Sequence, residues 1–225
     1  MFGLMVRKTV VGGLMAAVTL MAGAQSARRT RHESNANRKE RIAKTIEQTY
    51  SHKWEVFGGG GYLRFRTGET LRKSNEISWQ AAGNYYLNPA TSIVAEARGY
   101  FGHGQLNNNI YNVYNPLINE YMFMGGVQQR FRRREKTAIS AYAVGGMAIG
   151  NFDGGSKAIP AALLGMWPSA NKPVFSVGAN WDYNFYPNVA FRVGPTYVGT
   201  LFGSPSGLQN NLGVNFGFVY RFGRQ

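Results

Sequence analysis

Cysteine is missing from this sequence altogether, which excludes a disulfide framework, a thiolate metal site and a cysteine nucleophile. Charge is also scarce: 16% of residues are charged, where about 25% is usual for a soluble domain. The scarcity of charge does not come with a long hydrophobic run. No uninterrupted apolar stretch reaches the roughly 18 residues that mark a transmembrane helix, so a chain of this kind that crosses a membrane crosses it as a closed barrel. Histidine is confined to His32, His52 and His103. His103 has no second histidine or carboxylate at metal-ligand spacing, so no catalytic residue, metal site or cofactor is expected.

What the chain has instead is glycine and aromatics: 29 Gly, 4 Trp, 13 Tyr and 14 Phe, a mixture suited to twisted strands and tight turns. Its first 24 residues read as an address. Arg7 and Lys8 form a positive n-region, "VVGGLMAAVTLM" (10–21) an apolar core, and Ala22-Gly23-Ala24 a small-x-small cleavage site, the pattern of an export signal. A buried N-terminal helix is the alternative, but the charged tract that follows would strand it. Gln25 is the expected mature N-terminus.

Residues 25–53 form a basic leader, in which Arg28, Arg29, Arg31, Arg38, Lys39, Arg41, Lys44 and Lys53 face only Glu33, Glu40 and Glu47. Ile42, Ile46 and Tyr50 recur every four residues, the stripe of a short helix. Such an arm is either a solvated leader or a binder of anions. In an exported chain the anions are headgroup phosphates and not nucleic acid.

From residue 54 onward apolar and polar residues alternate with period two, the signature of strands. "VFSVGANWDYNFY" (174–186) sets Phe175, Val177, Ala179, Trp181, Tyr183 and Phe185 against Ser176, Gly178, Asn180, Asp182 and Asn184. Six segments are clear, at 76–87, 91–103, 120–131, 174–186, 189–202 and 210–222. Two more, 54–65 and 137–149, are blurred by glycine. Each reaches the roughly 9–11 tilted residues that a bilayer demands. The connections alternate between short (88–90, 132–136, 187–188) and long (66–75, 104–119, 150–173, 203–209), as when one rim carries tight turns and the other elaborated loops. "KAIPAALLGMWPSANK" (157–172) reads as a short strand, a hydrophobic lid or a loop over the mouth. The two prolines, which cannot donate to a ladder, favour a loop.

In a soluble barrel the outer face is charged. Here the consistently apolar face is aromatic and uncharged, while Arg64, Glu76, Glu96, Arg98, Arg130, Asp182, Arg192 and Arg221 are assigned to the small-residue face. The apolar face therefore looks at lipid and the charges line the lumen. An eight-stranded lumen is filled by side chains, and charges buried in it must pair. The expectation is an ion-pair plug, with a gated narrow pore as the alternative; the surplus of arginines would give that pore a slight anion preference. A turn over 186–188 would pair Phe185 with Val189 and set Asp182 opposite Arg192. "FGGGGY" (57–62) lies inside a strand with no helix after it, so it is no phosphate loop. Its expected role is to let neighbouring interior side chains approach.

Residues 54–223 resemble the small outer-membrane β-barrel family typified by the OmpA transmembrane domain. The last strand resembles that family's assembly signal, polar-x-Gly-x-x-aromatic-x-aromatic, at Asn215, Gly217, Tyr220 and Phe222. The family usually stops at the terminal aromatic, whereas Gly223-Arg224-Gln225 follow here. The resemblance implies an all-β, eight-stranded, antiparallel up-and-down barrel in the outer membrane. It also implies insertion by the outer-membrane assembly machinery, a monomer embedded in outer-membrane lipid, and both termini in the periplasm. The expected function is non-enzymatic: surface interaction or envelope integrity through the long loops. A narrow channel for small solutes is the second reading. A lipid-modifying enzyme built on His103 is the third.

Overall fold

The computed structural model describes residues 34–106, 109–203 and 207–224. The expected signal segment 1–24 and the first part of the leader lie outside the described residues. Helix α1 (Asn35–Tyr50) begins where the Ser34 hydroxyl accepts a hydrogen bond from the Asn37 amide, an N-cap that occupies an otherwise free donor. The helix leaves the expected stripe partly covered: Ile42 and Ile46 are half-buried and Tyr50 is buried.

Ile42–Gln225 is the compact unit that holds the barrel. Its strands are β1 (His52–Arg66), β2 (Lys73–Tyr86), β3 (Thr91–His103), β4 (Leu117–Arg133), β5 (Thr137–Gly154), β6 (Ala170–Tyr186), β7 (Val189–Thr200) and β8 (Gln209–Arg224). Each pairs antiparallel with the next, and β8 closes on β1, so no strand edge is left to recruit another chain. All eight expected strands are present, most of them longer than the sequence pattern implies. Tight connections at 87–90, 134–136 and 187–188 share one rim, and longer ones at 67–72, 104–116, 155–169 and 201–208 share the other.

The alternation separates two chemistries. Outside stand Trp54, Val56, Ile77, Trp79, Phe123, Val127, Phe175, Val177, Trp181, Phe216 and Phe218, all exposed. Inside stand glutamine, asparagine, serine, threonine, four arginines and five acids, all buried. This inverts the order of a soluble barrel and matches a wall solvated by lipid. The glycine run in β1 has a steric job at barrel closure. Gly59 is opposite Gly217 on β8; a Cβ on Gly59 would stand 2.2 Å from the Phe216 carbonyl and 2.9 Å from the Phe57 ring. The ring of Phe57 thus lies over bare backbone inside the lumen.

The segment at 157–172 resolves mostly as loop. It carries a 3-10 turn at Ala161–Leu164, and its last three residues belong to β6. The β6–β7 turn differs from expectation. Tyr186, not Phe185, is opposite Val189, and the ladder is irregular between Asn184 and Tyr186. The extra residue in the strand offsets the shorter turn, so Asp182 still stands opposite Arg192.

Candidate functional site in the barrel lumen

The lumen is built in layers along the barrel axis. Nearest the tight-turn rim is an ion-pair layer centred on Glu55, which projects inward from β1 and is 1% exposed. Its carboxylate accepts from Arg192 Nη2 at 2.7 Å, Arg221 Nε at 3.0 Å, Arg130 Nη2 at 3.1 Å and Asn84 Nδ2 at 3.1 Å. Asp182 on β6 accepts from Arg192 twice, at 2.7 and 2.9 Å, and from Arg221 Nη2 at 3.0 Å. Two carboxylates therefore hold three guanidinium groups, the bidentate contact to Arg192 being the strongest geometry available to such pairs.

Aromatic rings finish this layer. The Arg130 guanidinium lies 4.4 Å from the Tyr86 ring centre and 4.9 Å from that of Tyr50, and it also donates to the Tyr86 hydroxyl. The Tyr50 hydroxyl donates to the carbonyl of Arg134 at 2.8 Å and accepts from Asn184 at 3.0 Å. Burial raises the Tyr50 phenol above its ordinary range, which keeps it a donor. The last turn of α1 is thereby fastened to the tight-turn rim.

The middle layer is centred on Arg98 of β3. It pairs with Glu96 at 2.7 Å and donates to Thr196, Tyr142, Ser176 and Tyr100 at 3.1 to 3.4 Å. Gln80 donates to the other Glu96 oxygen at 2.8 Å. Between these two layers lies a cavity of about 20 Å³, lined by residues that include Phe57, Asn84, Gln128 and Asn180, room for about one water molecule.

Beyond Arg98 the lumen holds the buried Glu76 and Glu120 and a cluster of aromatic rings. Phe65, Phe152 and Phe202 meet with ring centres 5.2 to 6.5 Å apart, and Ala161, Leu164 and Met166 of the long 155–169 loop pack into the same cluster. That loop is pinned across the mouth. Trp167 donates through its indole nitrogen to the Arg66 carbonyl at 2.6 Å and through its amide to the Thr67 carbonyl at 2.9 Å. Asp153 receives the Ala161 amide at 2.9 Å and the Ser169 hydroxyl at 2.6 Å.

Of the eight charged residues assigned from sequence to the lumen, six share the two ion-paired layers: Glu96, Arg98, Arg130, Asp182, Arg192 and Arg221. Two do not. Arg64 is exposed on the outer face, because the inward set of β1 is odd-numbered and the side-chain-free run Gly58–Gly61 hides that parity in the sequence. Glu76 is fully buried in the lumen, but no arginine reaches it; its carboxylate accepts no hydrogen bond from the described residues. Glu120 of β4, equally buried and equally unbonded, escaped the sequence reading, as did Glu55. With these changes the described residues place five acids and four arginines in the lumen, so the expected arginine surplus, and the anion preference drawn from it, fall away. Once Arg64 is excluded, the charge ledger points to the missing acid, since three arginines near one rim need more than Asp182.

The closing strand places Asn215 and Gly217 inward and Tyr220 and Phe222 outward, with the last two rings 6.0 Å apart. His103, at the end of β3, is exposed and has no hydrogen bond to a serine or carboxylate among the described residues. Among those residues no group of three or more histidine, aspartate or glutamate side chains could hold a metal ion.

No protein-family model matches the sequence, and no curated protein matches it either. Solved structures do. Neisserial surface protein A superposes with a TM-score of 0.54 at 14% identity, over 76% of this chain and 97% of the other. The outer membrane protein OprG from Pseudomonas aeruginosa superposes with a TM-score of 0.53 at 9% identity, over 77% and 97%. At such identities the likeness is one of fold: this chain folds as the small outer-membrane β-barrels do.

Proposed function

We propose that this chain is a non-conducting barrel of the bacterial outer membrane, and that it acts through the surface formed by its long loops, in surface interaction or envelope integrity. The observation that carries this reading is the double closure of the lumen, by the Glu55–Asp182 ion-pair layer at one rim and by the Phe65–Phe152–Phe202 cluster with its pinned loop at the other. Between the ion-pair layer and Arg98 lies a lumen cavity of about 20 Å³, too little for a solute path. A narrow channel would need both closures to open together, and the lower one is held by at least six charge-assisted contacts.

In this reading the tight-turn rim, the last turn of α1 and the end of β8 face the periplasm and the long loops face outward, since outer-membrane barrels carry short periplasmic turns and longer external loops. The closed ladder supports a monomer. The Asn215, Gly217, Tyr220 and Phe222 pattern supports delivery by the outer-membrane assembly machinery. Lipid chemistry is disfavoured by the isolation of His103.

Planar-bilayer recording on refolded protein tests the proposal. Steady absence of unitary conductance is expected; reproducible current steps would replace this reading with the channel. A change in membrane lipid composition on expression, abolished by His103→Ala, would replace it with the enzyme.

A further inference from the structure

The lipid-facing wall carries one group of charges that a purely apolar contact does not explain. On β1 the outward residues run Trp54, Val56, Tyr62, Arg64, Arg66; on β2, counted in the same direction, they end Trp79, Ile77, Asn75, Lys73. The two strands are in register, so that Tyr62 is opposite Ile77, Arg64 opposite Asn75 and Arg66 opposite Lys73. The wall thus turns from apolar to polar at one level on both strands, and the cations Arg64, Arg66 and Lys73 stand at or just beyond it. Trp54 and Arg64 are separated by the length of tilted strand that crosses hydrocarbon, about 9–11 residues. With Trp54 at one interface, Arg64 reaches the other, where lipid phosphates lie.

Two further features point to an anion. Arg66 directly opposite Lys73 is a like-charge cross-strand pair, which destabilises a ladder. Among the described residues no carboxylate stands within ion-pair distance of Arg64, Arg66, Arg72 or Lys73. Arg66 and Lys73 reach only backbone carbonyls, those of Glu69 and Asn210, each at 3.5 Å. An open cleft of about 510 Å³, lined by Tyr62, Arg64, Arg72, Lys73, Asn75 and Gln105, takes in three of the four cations, and Arg66 stands across the ladder from Lys73. Tyr62 and Asn75 are tied to each other at 2.5 Å, which fixes the floor of the cleft. On the outward face the patch is one-sided: at their long-loop ends β4, β5, β6 and β8 present Asn119, Asn151, Asn171 and Asn210 there, while the half-buried Lys172 of β6 belongs to the other face.

We propose that Arg64, Arg66, Arg72 and Lys73 form a binding site for the phosphate group of a membrane lipid, with the acyl chains lying along Tyr62, Ile77 and Trp79. Guanidinium forks suit phosphate oxygens, and a bridging phosphate turns the Arg66–Lys73 repulsion into two attractions. The site rests on the membrane-barrel reading of the preceding subsection.

The test uses the full chain refolded into vesicles of equimolar phosphatidic acid and phosphatidylcholine, then released into mild detergent and weighed by native mass spectrometry to count retained lipid. The wild type is expected to retain phosphatidic acid over phosphatidylcholine by at least tenfold, since about 1 kcal/mol per basic residue at a membrane surface, summed over only two of the four cations, already exceeds the roughly 1.4 kcal/mol of a tenfold preference. Arg64→Gln/Arg66→Gln/Lys73→Gln should bring the ratio close to one. Arg132→Gln/Arg133→Gln/Lys136→Gln, the same charge change at the opposite rim, should leave it intact. An unchanged ratio in the first triple variant, or an equal loss in the second, overturns the site. Loss of phosphatidic acid from the wild type in excess inorganic phosphate, with phosphate adducts in its place, assigns the cleft to a free anion and overturns the lipid. The heat-modifiable gel mobility of the folded barrel is read on each sample. A wild type that inserts but shows no preference sinks the site alone, whereas one that never inserts sinks the membrane reading with it.

Discussion

Replacing Glu55 with glutamine perturbs the barrel at its most connected interior point. The side chain keeps its shape and loses its charge. In the native lumen the carboxylate serves Arg130, Arg192 and Arg221 at 2.7 to 3.1 Å. Without it Asp182 is the sole carboxylate for three guanidinium groups, and it reaches only Arg192 and Arg221. Arg130 retains the Tyr86 hydroxyl and the Pro89 carbonyl but no anion. The new amide nitrogen, itself a donor, also faces donors that the carboxylate oxygen accepted from, since every present partner of Glu55 is an N–H group. Removing one member of a buried ion cluster costs about 3–5 kcal/mol, a large part of a total stability of about 5–15 kcal/mol. Urea unfolding in lipid vesicles, followed by gel mobility and tryptophan fluorescence, measures the loss. A loss below about 1 kcal/mol would mean that water screens these charges and that the lumen is open. The same wiring alters what an Asp182–Arg192 cycle should show. Asp182→Asn destabilises, but adding Arg192→Met recovers only part of the loss, because Arg221 also depends on Asp182; complete recovery would show an isolated pair.

Glu120→Gln should behave in the opposite way to Glu55→Gln. Its carboxylate accepts no hydrogen bond from the described residues, so neutralising it removes a buried charge without orphaning a partner, and unfolding stability should hold or rise; a loss beyond about 1 kcal/mol would reveal a cation that depends on it. Ala179→Arg, on the lipid face of β6, should cost about 2–4 kcal/mol if it lies near the midplane, and Leu87→Arg, on a tight turn, about 0–1 kcal/mol; equal penalties in vesicle unfolding would contradict the assigned membrane level. Cysteine at Leu163, exposed on the long 155–169 loop, should react with an impermeant maleimide on intact cells while cysteine at Arg133 should not, and the reverse pattern would invert the barrel.

The wall of this barrel was legible in the sequence and its wiring was not, for reasons that lie in the physics of each. Lipid is a uniform solvent, so every outward position obeys one rule, and "VFSVGANWDYNFY" or "VNFGFVYRFGR" declares its faces without knowledge of its neighbours. The lumen obeys a relational rule: an interior residue is acceptable if its partners on other strands complete it. Phe57, Leu63 and Phe65 point inward on the same face of β1 as Glu55, because the lumen is ionic at one rim and aromatic at the other. A reader who sorts β1 by polarity therefore puts Arg64 inside and overlooks Glu55, with Gly58–Gly61 erasing the parity between them. Registers decide the matter: Glu55 is opposite Asn84 on one side and Arg221 on the other, and residues opposite in a ladder share a face. Asp182 and Arg192 were within reach of sequence because one short turn fixes their register. Glu55 and its three arginines lie on four different strands, β1, β4, β7 and β8, so their meeting depends on the closure of the whole barrel. Two acids and three arginines on five strands, β1, β4, β6, β7 and β8, tie the tight-turn ends of the sheet together across the lumen, which is why the ion layer and not the outer face sets how firmly the lumen is shut.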